Sequence, residues 1–343
     1  MTATKREQLQ ALIERGIQDG IFPGAAAFVL REGEPALRLC AGRRMVIPEP
    51  RPMRLDTVFD LASLTKPIAC ASVALMLAEE GRIDLDAPVC ETLPEFERAD
   101  VTPRNLLTHT SRLPAWKPLY IDPGERGRVL QRLGRMEPSA ADGRIVYSCL
   151  GYIVLERLIA RAGGRSLDRE ASERIFQPLN MKRTRFNPPE EWASECAATE
   201  GAAEAQKRKA NYTPRADVIC GDVHDENAHF LGGVSGNAGL FSTLSDMETY
   251  ARCLLNEGKP VYSQNVYRQL TEPAADDGET TRSLAWIILE DGRRTHTGFT
   301  GTALQWHPER KAAAALLTNR IHPDATKTGI IPFRREFFAA AFA

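Results

Sequence analysis

Strand-like sequence lies at both ends of this chain and is nearly missing from its middle. "GAAAFVLREGEPALRLCAG", residues 24–42, holds two short apolar runs separated by "REGEP", the pattern of a strand pair. Strand signals return only at 285–289, 302–307 and 311–318. A first helix is expected over 5–19, where Leu9, Leu12, Ile13 and Ile17 keep near-helical spacing, and a closing helix over 326–342. Short helices are expected at 103–108, 126–134, 150–162 and 168–176, and a polar surface excursion over 189–216. This order predicts an α+β chain: one sheet made from both ends, with a mostly helical domain inserted. The expected division is a sheet subdomain of residues 1–60 and 205–343 and a helical subdomain of 61–204, in a single unit.

At 343 residues with 43% hydrophobic side chains, the chain can bury a substantial core. Lys plus Arg (44) balance Asp plus Glu (45), so no global basic field is offered to nucleic acid or anionic lipid. The N-terminus scatters charge through its first twenty residues, unlike a secretory leader, and Glu79 and Glu80 end the longest apolar run short of a bilayer span. Seven cysteines without a CxxC pair suit free thiols in a reducing compartment. The expectation is a cytoplasmic protein that uses neither a nucleic-acid nor a membrane partner.

"FDLASLTKPIACASVALMLAEEG", residues 59–81, carries the first chemical signal. Proline lacks an N–H and is tolerated only in a helix's first turn, so Pro67 forces a helix to begin close to Ser63. Unpaired N–H groups at that end favour developing negative charge. Lys66 falls three residues on, on the same face, and can approach the hydroxyl. Partial burial or a positive neighbour would lower the lysine pKa enough for it to accept a proton. Taken alone, Ser63 is an ordinary helix cap and Lys66 a solvated first-turn residue.

Two further segments add to the pair. In "GRIVYSCLGYIVLERLIA", Tyr147 precedes an apolar helix and would relay a proton if adjacent positive charge held its pKa down; alone it is a core-edge aromatic. In "RRTHTGFTGTALQWHPER", His296, Thr297 and Gly298 end a strand whose glycines permit close backbone approach, so an N–H there can face an oxyanion; alone this is a turn with a structural histidine.

Together, in this order, the segments resemble the serine beta-lactamase and penicillin-binding-protein superfamily, in particular its class C-like esterase and D-aminopeptidase branch. "IFPGAAAFV", "LLTHTSRLPAW", "QPLNMKRTRF" and "GDVHDENAHFLGGVSGNAGLFSTLSDM" extend the resemblance over nearly the whole chain. It implies a beta-lactamase/transpeptidase-like fold, an antiparallel sheet flanked by terminal helices beside a helical domain. It also implies acylation of Ser63, with Lys66 and Tyr147 sharing the acid and base work. His296, Thr297 and Gly298 take the place of the Lys/His-Thr-Gly strand, and the N–H groups of Ser63 and Phe299 form the oxyanion hole.

Three departures bear on specificity. Cys149 stands where the Tyr-x-Asn motif has an amide, and is expected to be a small apolar wall residue. His296 replaces a common lysine and would be largely neutral at pH 7. Arg112 replaces the usual glycine of LLTHTSGLP, altering the pocket rim or adding an anion contact. Trp116, Tyr120 and Phe299 are candidates to line an acyl or leaving-group pocket. His224, Asp225, Glu226 and His229 lack the HExxH spacing, so no metal is expected; residues 224–227 read instead as a hydrogen-bonded loop before the glycine-rich turn 232–239. His109 reads as a loop-fixing histidine. The expected activity is that of a cofactor-free serine hydrolase on small acyl esters, the alternative being a beta-lactamase or a D-amino-acid peptidase or amidase acting on cell-wall-derived peptides.

Overall fold

The computed structural model describes residues 3–121, 123–201, 203 and 215–343. Its centre is β1 (Gly24–Arg31), buried along almost its whole length because both of its faces are covered. Small residues Ala25 and Ala27 with Val29 face the terminal helices, whereas Ala26, Phe28 and Leu30 face the helical layer. Strand alternation sorts the two sets, so a run that reads as uniformly apolar serves two cores at once.

The closing strand β12 (Ala312–Thr318) pairs antiparallel with β1 from Ala25↔Thr318 to Arg31↔Ala312. The two ends of the chain therefore meet at the middle of the sheet. On one side follow β2 (Leu37–Met45) and β3 (Arg51–Pro52). On the other side come β11 (Ala303–His307), β10 (Arg294–Thr297), β9 (Ile287–Ile288), β8 (Thr281–Arg282) and β7 (Ala275–Asp276). The nine-stranded order is β3-β2-β1-β12-β11-β10-β9-β8-β7. The helices Ala3–Gln18 and Ile330–Phe342 lie together on one face, contributing Leu9, Ile13, Phe333 and Phe337 to a core with Ala314 and Leu316. This is the α+β, beta-lactamase/transpeptidase-like arrangement that the sequence implied.

A second sheet joins β4 (Val58–Asp60), β6 (Leu240–Thr243) and β5 (Arg185–Phe186) in the order β4-β6-β5. It ties the chain just before Ser63 to segments far away in sequence. The division expected at 204/205 lies outside the described residues. So do residues 202 and 204–214 of the expected surface excursion, but Cys196–Glu200 departs from that expectation and is buried. Its backbone is spoken for: Ala197 N–H donates to Val58 O at 2.8 Å and Ala198 N–H to Arg44 O at 2.8 Å.

The expected strand 285–289 shrinks to Ile287–Ile288, because Ser283 Oγ accepts the amides of Ala285 and Trp286 and holds a tight turn. The apolar stretch Ala62–Glu79 is, against expectation, long and apolar enough by composition to cross a membrane. Some 83% of it is buried inside the protein, where it packs as the central helix of the large core.

Candidate active site

The stretch that carries Ser63 is shaped by its surroundings more than by helix propensity. Ala62 adopts φ 47°, an unusual conformation for a residue with a Cβ. Its amide is held by Asp60 Oδ1 at 2.8 Å and its carbonyl by Thr65 Oγ1 at 2.6 Å, and Thr65 Oγ1 also accepts the Leu240 amide. Asp60 is fully buried, and burial raises its pKa against the two amide bonds it accepts, from Ala62 and His224. Ser63 then sits in a short 3-10 turn, and Lys66–Ala71 follows as a wide π-type turn with Pro67 in its first positions. π-turns inside helices recur at functional sites. The early helix start that Pro67 demands is present.

Lys66 is completely buried. Its Nζ lies 3.0 Å from Ser63 Oγ, 2.8 Å from the Asn237 carbonyl and 3.5 Å from Cys149 Sγ, which is one acceptor for each ammonium proton. The same Nζ stands 5.0 Å from the centre of the Tyr147 ring. Burial, the largest single influence, lowers the lysine pKa, but the Cys149 and Tyr147 side chains together raise it by more, and the ammonium is held above its ordinary value. Tyr147, 39% exposed, is raised by desolvation of its hydroxyl, with Lys66 opposing. Both expected pKa directions are thus reversed. The resting cluster keeps its protons, because enclosure penalises phenolate and thiolate while a carbonyl and two other acceptors satisfy the ammonium.

Cys149 is also not a passive wall. Its thiol pKa is raised, by burial first, and it remains a neutral partner for Lys66. Cys149 opens the helix Cys149–Gly163, whose N-cap Ser148 accepts the Gly151 amide at 3.1 Å. The Ser148 amide in turn donates to His109 Nδ1 at 3.0 Å, and the His109 ring lies 4.6 Å from Tyr147. His109 is buried and held neutral, its pKa pushed well down by desolvation and by the nearby positive charge of Arg282 and Lys66. It sets the backbone that carries Tyr147.

His296 is the last but one residue of β10, 6.1 Å from the Tyr147 ring between centroids. It is 2% exposed, and burial, aided by Arg282 and Lys66, pushes its pKa well down. A carbonyl can only accept, so the contact to Thr297 O at 3.1 Å places the imidazole proton on Nδ1. Thr297 itself faces solvent. Gly298 is compulsory: a Cβ there would lie 2.2 Å from Thr302 Oγ1 and 2.5 Å from the Leu61 carbonyl. Gly298→Ala should therefore push the end of β10 away from the Ser63 turn and lower kcat/KM by at least about tenfold, with modest loss of Tm; wild-type turnover would show that this close approach is dispensable.

Beyond Gly298, Phe299 is 49% exposed and its N–H meets no acceptor among the described residues. Its ring stacks on His224, which pairs with buried Glu200 at 3.0 Å. Among the described residues, no group of three His, Cys, Asp or Glu side chains converges to hold a metal. Asn227 bridges to the 116–120 loop, accepting the Leu119 amide at 2.8 Å and donating to Lys117 O at 2.9 Å. Trp116 is 41% exposed and packs with Tyr120; the Cys149 amide bonds the adjoining Ala115 carbonyl at 2.8 Å. Arg112 corrects an expectation. It takes the left-handed φ of 60° that a glycine would favour, and its guanidinium is turned to Asp100 and Asp142 rather than left free as an anion contact.

Ser63, Lys66, Tyr147, Cys149, His296 and the Phe299 amide are thus gathered from three separate stretches. Sequence reasoning missed Asn237, whose carbonyl holds Lys66, and Arg282, a 2%-exposed cation whose Nε and Nη2 lack partners. The "SGNAG" run marked a turn but not its target, and nothing in the sequence around Arg282 marked it as buried.

A family model described as Beta-lactamase matches residues 9–336. An N-acetylmuramyl-L-alanine amidase of Bacillus subtilis (strain 168) is 28% identical, over 93% of this chain and 81% of that protein. A putative D-alanyl-D-alanine carboxypeptidase of Salmonella paratyphi B is 26% identical over 96% and 85%. Among solved structures, a class C beta-lactamase superposes with TM-score 0.79 at 19% identity, covering 99% of this chain and 96% of that one. EstCE1, a hydrolase with promiscuous acyltransferase activity, gives 0.79 at 19% identity over 99% and 98%. With the family model spanning nearly its whole length, the chain belongs to the serine beta-lactamase family of hydrolases.

Proposed function

We propose that the protein cleaves small acyl esters through a covalent acyl-enzyme on Ser63. The observation that carries this reading is the 3.0 Å approach of a fully buried Lys66 Nζ to Ser63 Oγ, beneath Tyr147. Ser63 Oγ attacks the ester carbonyl carbon, and its proton passes into the Lys66–Tyr147 pair. The carbonyl oxygen becomes an oxyanion facing the N–H groups of Ser63 and Phe299. Collapse breaks the bond to the alkoxide, which leaves with a proton from the pair. Water, deprotonated by the same pair, then attacks the acyl carbon and releases the acid.

A neutral His296 and a thiol at position 149 favour esters over carboxylated amides, since neither supplies the cation or amide that would hold such a substrate. An ester also expels its alkoxide more readily than an amide expels an amine. We expect kcat/KM for p-nitrophenyl butyrate and for an unactivated ethyl ester to exceed that for nitrocefin and D-alanyl dipeptides by at least about tenfold. Turnover of nitrocefin or the dipeptides with the ethyl ester untouched would replace this reading with the second one, a lactamase or a peptidase or amidase of cell-wall fragments. That reading draws on the names of the amidase and carboxypeptidase relatives.

The pH dependence follows from the raised pKa directions of Lys66 and Tyr147. The cluster contains a base only after losing one proton, and a raised pKa means this form accumulates as pH increases. kcat/KM for a neutral ester should climb from about pH 6 toward alkaline values, with one apparent pKa above neutrality that belongs to the pair. A profile that falls over this range would contradict the proton inventory.

A further inference from the structure

The end of β10 is gripped from behind by the C-terminal segment. Arg334, in the helix Ile330–Phe342, donates from Nη2 to the Gly298 carbonyl at 2.7 Å and to the Thr302 carbonyl at 2.9 Å. The Gly301 amide also reaches Gly298 O, at 3.1 Å, so both lone pairs of that oxygen are engaged. Arg320 donates from Nε to the Phe299 carbonyl at 2.9 Å and lies 4.7 Å from the Phe299 ring. Arg334 forms no ion pair with a described carboxylate, and its Nε is buried without a partner. Burial, then repulsion from Arg320, lowers the Arg334 pKa to about 10, which leaves it a cation at neutral pH.

The Gly298 carbonyl and the Phe299 N–H belong to one peptide group. A cation bonded to the oxygen of an amide draws electron density from its nitrogen and makes the N–H a stronger donor, the cooperativity of chained hydrogen bonds. That N–H is the one with no acceptor among the described residues, half of the oxyanion hole under the function proposed above. A neutral tie would anchor the strand end equally well. A buried guanidinium without a carboxylate is costly unless its charge is used.

We propose that Arg334 is a positioning residue that polarises the Gly298–Phe299 peptide and so strengthens the Phe299 N–H as an oxyanion donor. This rests on Ser63 being acylated, and the experiment separates the two claims. Wild type, Arg334→Lys, Arg334→Gln and Arg334→Met are compared for Tm, for acylation kcat and KM with p-nitrophenyl butyrate, and for the infrared stretch of an isotope-labelled acyl carbonyl on Ser63. Lysine keeps the charge, glutamine keeps a donor without charge, and methionine keeps neither. Methionine and glutamine should lower kcat by about threefold to tenfold at nearly constant KM and move the stretch to higher frequency, with lysine closer to wild type. Should the methionine variant fail to fold, the ordering of lysine against glutamine decides. A wild-type stretch in folded glutamine or methionine protein, with or without a slower rate, overturns the proposal and leaves Arg334 a structural tie. Label missing from the Ser63 peptide of the wild type overturns the acyl-enzyme reading instead, and this one with it.

Discussion

Ser63→Ala should leave a folded protein whose kcat/KM for small esters is lower by at least about 10⁴-fold, as happens when a nucleophile that acts in concert with its base is removed. The side chain is not a helix cap here; its oxygen accepts from Lys66. Loss of that acceptor costs on the order of 1 kcal/mol, because the Asn237 carbonyl and Cys149 thiol still receive the other two ammonium protons. Circular dichroism and a Tm within a few degrees of wild type establish that the variant is folded. Mass spectrometry of the quenched wild-type reaction should place the acyl group on the Ser63 peptide. Correctly folded Ser63→Ala with near-wild-type turnover would end the acyl-enzyme account, as would label on Cys149.

Lys66 should matter almost as much. Lys66→Met fills the same volume and removes both the charge and the transferable proton. Acylation should fall by about 10²- to 10⁴-fold, the range for a positioned acid–base group. Stability should change little, because no carboxylate is left behind unpaired. Lys66→Arg tests which property counts. The guanidinium keeps positive charge yet cannot take up a proton, and its larger head enters a fully buried site, so it should recover little activity. Full activity with arginine would show that position 66 supplies charge alone. The alkaline limb of the pH profile should move to higher pH in the methionine variant, since Tyr147 then loses the cation that opposes its raised pKa.

Much of the fold was legible because local pattern and position in the chain carried it. Helices at both ends and strands beside them were readable from periodicity, and the observed Ala3–Gln18, Gly24–Arg31, Ala303–His307 and Ala312–Thr318 fall within a few residues of expectation. Two-residue strands such as Arg185–Phe186 and Thr281–Arg282 were not readable. They exist only as partners of other strands, and no local alternation is long enough to announce them.

The sequence alone determined which groups stand at the centre of the site. Pro67 calls for a helix start beside Ser63, and a three-residue spacing puts Lys66 on the side of the hydroxyl. Protonation and partnership were decided only by tertiary structure. Lys66 is held charged rather than neutral because Cys149, 83 residues away, and Tyr147 face its ammonium, while the Asn237 carbonyl, 171 residues away, accepts one of its protons. Arg112 is consumed by Asp100 and Asp142, and Arg334 reaches back 36 residues to the Gly298 carbonyl. A pKa is the free-energy difference between two charge states in a particular enclosure, and that enclosure is built from segments that meet only when the chain is folded.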